Sequence, residues 1–119
     1  MSTIGTVLSI VLAVAFAGAG GTKIANVGPH EAEFPRYNLP AIDAQRARVL
    51  VGAIELIASL LLIIAVIAAS PGLAVVGAIV VILMMIGAVG THARIGDPPP
   101  KMMPAAVLGI LGVLLLFLA

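Results

Sequence analysis

The chain has 119 residues, of which 62% are hydrophobic and only 9% charged, and its mean hydropathy is +1.28. A soluble domain carries about 25% charged residues, and a globule of this length cannot hide so much apolar side chain from water, so the solvent must be lipid. With a net charge of +1, no basic run and no aromatic platform, nothing points to a nucleic-acid partner, and the lack of cysteine removes thiolate catalysis, disulfide relay and Cys-ligated metal.

Four apolar runs are long enough to cross about 30 Å of hydrocarbon, which takes about 20 helical residues. The first runs over about 4–25, IGTVLSIVLAVAFAGAGGTKIA. The preceding MSTIGTV has no Lys or Arg, so it does not read as the positive start of a cleaved signal peptide. Ala13, Ala17 and Gly21 recur every four residues and predict one small face on this helix.

The next segment reads NVGPHEAEFPRYNLPAID. Prolines, Phe34 and Tyr37 sit there among His30, Glu31, Glu33 and Arg36. That mixture predicts a loop that folds back as a short lid at headgroup level, with the two aromatics as interfacial anchors. The second span covers about 49–69. Its helix can start near Ala41, because Pro40 suits a helix boundary and Asp43 a first turn. Ser70-Pro71-Gly72 is the only break before the third span, about 73–91, so the two must form a tight antiparallel hairpin. The fourth span covers about 103–119. Gly52 in the second span, Gly77, Gly87 and Gly90 in the third, and Ala105, Gly109 and Gly112 in the fourth offer further close approaches. The expected architecture is all-α: one integral membrane four-helix bundle over residues 1–119, with a proline- and aromatic-containing loop between the first two spans.

All six basic residues lie on one side of these spans. Lys23, Arg36, Arg46 and Arg48 flank the first loop, and Arg94 and Lys101 the third. The positive-inside rule then predicts that loops one and three are cytoplasmic and both termini are outside.

One charge sits deep in a span. Glu55 lies seven residues beyond Arg48, about 10 Å deeper at 1.5 Å per residue. A carboxylate facing lipid costs roughly 2.5–3.5 kcal/mol at a helix centre, so Glu55 should face the bundle, on one side with Gly52 and Ser59. Lys23 ends the first span on the same side of the membrane and can reach inward on its long stem. His92 ends the third span there too. Lys23, Glu55, Ser59 and His92 are therefore the candidate polar or ligand-binding residues. Three roles stay open: an ion pair that fixes helix register, a site for a polar headgroup or a quinone oxygen, and acid–base or proton-relay chemistry. Haem is not expected, because His30 and His92 are the only histidines and neither lies inside a span. No metal is expected either; a site on His92, Glu55 and His30 would need the loop to fold sharply inward. Met84 and Met85 read as packing, and GAGG ends a helix rather than opening a phosphate loop.

Four segments together resemble the DoxX-like family of small four-helix membrane proteins: FAGAGGTKI, EFPRYNLP, VGAIELIASLLLI and HARIGDPPPKMMPAAVLGIL. The resemblance implies a four-helix bundle in which Lys23, Glu55 and His92 occupy the family's characteristic polar positions. Relatives include subunits of thiosulfate:quinone oxidoreductases, proteins linked to membrane redox complexes, and accessory factors for assembly. Any cysteine-based role among relatives has no counterpart here. The leading expectation is an accessory factor or subunit of a membrane assembly with a polar pocket at its cytoplasmic end. It would be embedded in the bilayer and docked on another membrane protein or a second copy, and its ligand, if any, would be a quinone or lipid. The alternatives are a quinone-binding oxidoreductase component and a small oligomeric channel or transporter. No helix looks broken at midplane, as transporters often require.

Overall fold

A computed structural model covers all 119 residues. The chain forms α1 (Thr3–Ala25), α2 (His30–Arg36), α3 (Ala44–Ile67), α4 (Pro71–Arg94) and α5 (Pro99–Leu118). All but α2 are long and apolar enough to cross a membrane, which makes this a multi-pass membrane protein.

Local chemistry sets the helix ends. The Gly5 N–H donates to Ser2 Oγ at 2.8 Å, Arg46 N–H to Asp43 Oδ1 at 3.0 Å and Leu73 N–H to Ser70 Oγ at 3.2 Å. Each bond satisfies a donor that the first helical turn leaves unpaired. Asp43 is thus the N-cap of α3, just outside the first turn in which it was expected, and the helix starts at Ala44 rather than Ala41. The reversal between α3 and α4 is also displaced from its expected place. Ala69 takes the left-handed conformation at φ 48°, while Pro71 and Gly72 already belong to α4. Proline suits the first helical position because its missing N–H would have no partner there. The same logic starts α5 at Pro99, four residues before the expected Met103. Between α1 and α3 the expected loop contains about two helical turns, α2, entered through Gly28 at φ 89°.

Neighbouring spans run antiparallel. The α1–α3 and α4–α5 pairs pack most extensively, α3–α4 joins them, and α1–α5 closes the bundle. The core is narrow, built from Leu12, Phe16, Leu62, Val81 and Leu115 against Ala58, Ala65, Ala74 and Ala78. Only 22 of 119 residues are buried, and side chains such as Ile67 and Phe117 point outward. Such a surface is stable only in lipid, where helix association depends on close contact rather than on expelling water.

Glycines bring the backbones of α1 and α3 into close contact. A Cβ on Gly20 would stand 2.7 Å from the Gly52 carbonyl oxygen, and one on Gly52 would stand 2.9 Å from Lys23 Cβ. The buried face of α1 is therefore Gly5, Ser9, Leu12, Ala13, Phe16 and Gly20. Of the expected Ala13, Ala17 and Gly21 face, only Ala13 is buried; Gly21 has open space where a Cβ would go. A strict four-residue repeat drifts around a helix of 3.6 residues per turn, so it tracked the wrong edge. On α4, Gly77 meets Leu62, whereas a Cβ on Gly87 or Gly90 would meet no atom within 4 Å. On α5, Gly109 and Gly112 pack on Met85 and Val81.

Candidate functional site

The Gly20–Gly52 contact positions the deepest ion pair. With no side chain at Gly52, the Lys23 stem lies against α3 and directs its ammonium one turn further along, onto Glu55. Lys23 Nζ stands 2.9 Å from Glu55 Oε1, with side-chain exposures of 16% and 5%. The approach is close but off the direction a hydrogen bond prefers, so Oε1 is buried without a hydrogen-bond partner. Charge, more than directional bonding, holds this pair together. Lys23 Nζ also donates weakly to the Ala19 carbonyl at 3.5 Å. About two turns from Glu55 towards the headgroups, Arg48 donates to Gln45 Oε1 at 3.0 Å and to the Lys23 carbonyl. The Lys23 carbonyl, which already accepts from the Asn26 N–H at 3.3 Å at the end of α1, thereby gains a second donor.

Ser59 is placed elsewhere. Its hydroxyl donates to the Ala13 carbonyl at 2.7 Å, deep in the α1–α3 seam. It shares the buried face of α3 with Gly52 and Glu55 but does not line the cavity described below. Its role is interhelical adhesion of the kind membrane bundles use.

His92 has a partner that the sequence reading did not select. Its Nδ1 lies 2.6 Å from Asp97 Oδ2, and Asp97 Oδ1 accepts from Arg36 at 2.6 Å. Arg36 in turn binds Glu33 at 2.6 Å. Gly96, at φ 77°, turns the chain after α4 so that Asp97 folds back onto His92. The result ties α2 to the α4–α5 connection, and Arg94 strengthens the tie by donating to the carbonyls of Tyr37 and Asn38. Aromatic edges complete it: Tyr37 lies 5.0 Å from Phe34 and 5.5 Å from the His92 ring, centroid to centroid. The expected meeting of Lys23, Glu55 and His92 is therefore split. Lys23 and Glu55 form one cluster, and His92 belongs to a second with Asp97 and Arg36.

Electrostatics follows the geometry. The hydrogen bond from His92, reinforced by Arg36, holds the Asp97 carboxyl below its ordinary range. Burial pushes the Tyr37 phenol up. Burial pulls the His30 imidazole down, and the nearby Lys23 and Arg48 add to the effect. His30 Nε2 lies 3.0 Å from Thr22 Oγ1. No three His, Asp or Glu side chains come close enough to share a metal ion.

Lys23 and Glu55 of the first cluster and His92 of the second line one cavity of about 410 Å³ between the α1–α3 and α4–α5 pairs. Lys23 and Glu55 form its deep polar wall, His92 and Tyr37 its outer end, and Leu83 and Leu108 part of its apolar side. From His92 to Leu83 it extends about 14 Å along α4, at 1.5 Å per residue. Phe34 and Tyr37 bring the α2 region over it. Asp97 and Arg36 were missed because both lie outside the spans. The available signal was a carboxylate five residues past a helix-ending histidine, with a glycine between them to turn the chain.

Because Asp97 has a depressed folded pKa, the α2 tie it makes is present above its ordinary value of 3.8 and lost as pH falls through the lower folded value. Asp97→Asn should raise hydrogen exchange in His30–Arg36 several-fold near neutral pH and leave α1 and α3 unchanged. The wild type should show the same loosening only below about pH 4. Unchanged exchange in α2 would show that this carboxylate does not hold it.

No curated protein and no solved structure matches this chain. The model of the DoxX-like family, in contrast, matches residues 7–115, nearly the whole bundle with both polar clusters, and the chain belongs to that family.

Proposed function

We propose that the protein is an accessory factor or subunit of a membrane assembly, with the α2-covered cavity as its working part at the cytoplasmic end of the bundle. The carrying observation is the cavity itself: an otherwise apolar bundle keeps a buried Lys23–Glu55 pair and His92 around one space. Buried charge in a membrane span is costly and most often marks a functional position. The broad apolar exterior supports docking on another membrane protein or on a second copy. In this reading α2 acts as a lid.

The affinity-tagged chain, extracted from its native membrane in mild detergent, should migrate well above its own 12.0 kDa with a stoichiometric membrane partner or second copy. Migration as a lone chain would overturn the assembly role. Orientation has a direct test, since there is no native cysteine. Arg46→Cys should react with an impermeant maleimide only after cells are opened, and Ala68→Cys in intact cells. The reverse pattern would place the cavity on the outer side.

A second reading is favoured by one feature: Lys23 and His92 are potential donors beside the aromatic Tyr37, an arrangement suited to a quinone ring. A short-tailed ubiquinone analogue should then raise the melting temperature of the purified protein, and Lys23→Met should abolish that rise. Unaltered melting would remove the quinone reading and leave the assembly role standing.

A further inference from the structure

We propose that the cavity selects an uncharged amphiphile with a hydroxyl-bearing head, in preference to fatty-acid anions, amines and heads that only accept hydrogen bonds. The inference rests on the cavity being a ligand site, and it names the class of ligand.

Charge balance carries the first half. Lys23 and Glu55 neutralise one another at 2.9 Å. Asp97 is held by Arg36 and by His92, each at 2.6 Å. An incoming carboxylate would find the Lys23 charge already matched and would face Glu55 at close range. An incoming ammonium would find Glu55 matched and would face Lys23. Either ion would also lose its own hydration on entering an apolar space, which costs several kcal/mol unless a free counter-charge awaits it. No such counter-charge lines the cavity.

Unused hydrogen-bonding capacity carries the second half. Glu55 is an acceptor whose buried Oε1 receives no hydrogen bond. Lys23 has three N–H donors, of which one is used, weakly, on the Ala19 carbonyl, while its approach to Glu55 is ionic rather than directional. His92 uses Nδ1 on Asp97, which leaves Nε2 free of protein partners. A hydroxyl both donates and accepts, so one such group can give a hydrogen bond to Glu55 and take one from Lys23 without adding charge. A lone carbonyl can satisfy Lys23 only. The remaining wall, with Leu83 and Leu108, suits an alkyl tail, and the space of about 410 Å³ is sized for a small ligand.

The test uses the full chain in phospholipid nanodiscs and four probes with the same twelve-carbon chain: monolauroylglycerol, methyl laurate, laurate and dodecylammonium. Occupancy at equal mole fraction is read by native mass spectrometry. Monolauroylglycerol should exceed each of the others at least tenfold, about what one added charge-assisted hydrogen bond supplies. In Glu55→Gln the Lys23 charge loses its counter-ion, and preference should swing at least tenfold towards laurate. If that variant does not fold, the order of the four probes on wild type decides alone. Equal occupancy by methyl laurate, or higher occupancy by either ion, overturns the hydroxyl-head selectivity and leaves the cavity as a ligand site. Binding of none of the four overturns the selectivity and the ligand site together.

Discussion

Lys23→Met should destabilise the bundle by about 3–5 kcal/mol, the usual cost of leaving one member of a buried ion pair alone. Glu55 is the member that cannot escape. Its side chain is 5% exposed, it sits on the inner face of α3, and its Oε1 has no second partner to fall back on. The reverse change, Glu55→Leu, should cost less. Lys23 lies in the last turn of α1, is 16% exposed, and can swing its ammonium towards the headgroups. This asymmetry is the signature of a pair in which one partner is anchored and the other tethered near water. Unfolding measured in mild detergent for both single variants and for Lys23→Met/Glu55→Leu closes a double-mutant cycle. A coupling of about 1.5 kcal/mol or more is expected, within the range for residues in direct contact. Coupling near zero would mean that proximity without aligned hydrogen bonding contributes nothing, and the case for Glu55 as a ligand group would strengthen accordingly.

The double variant also separates holding helices from holding a molecule. Replacing a whole buried pair by apolar side chains is often neutral or stabilising. If the double variant is as stable as wild type yet loses its assembly partner or its probe, the pair is retained for recognition. If it loses stability as well, the charges are part of the packing.

What the sequence made legible follows from periodicity and depth. Four apolar runs, one deep carboxylate and one lysine on the same side sufficed to anticipate four spans and the Lys23–Glu55 contact. Each of these is a property of one helix, or of two helices whose ends share a side. The rest depended on how helices rotate against one another. Ser59 shares a face with Glu55, yet a neighbouring backbone carbonyl at Ala13 takes its hydroxyl. Which of two polar residues on one face meets a cavity and which meets a helix is decided by the partner helix. His92 was placed at the right end of the bundle, but its partner Asp97 was not anticipated. Its carboxylate lies across a glycine turn whose conformation no hydropathy pattern reports. The expected loop held a short helix because proline and charge marked it as a break in the membrane, and those marks do not say what lies within the break.

The contrast between Gly20 and Gly21 is the sharpest measure of that rotation. Gly20→Leu should lower stability by about 3 kcal/mol or more, at the upper end of overpacking penalties. Its first carbon alone would stand 2.7 Å from the Gly52 carbonyl, a backbone atom that cannot move aside without moving α3. Separation of α1 from α3 would also draw Lys23 away from Glu55, since the lysine stem rests on Gly52. The cavity wall should therefore fail with the seam, and the coupling between Lys23 and Glu55 should fall in the Gly20→Leu background. Gly21→Ala, one residue on, meets no atom within 4 Å and should be neutral or stabilising by up to about 1 kcal/mol, because alanine loses less backbone entropy in a helix. Thermal unfolding of the two variants side by side is enough to decide. Equal tolerance at both positions would mean that α1 and α3 are not in backbone contact there, and the account of how Lys23 reaches Glu55 would have to be rebuilt around a different rotation of α1.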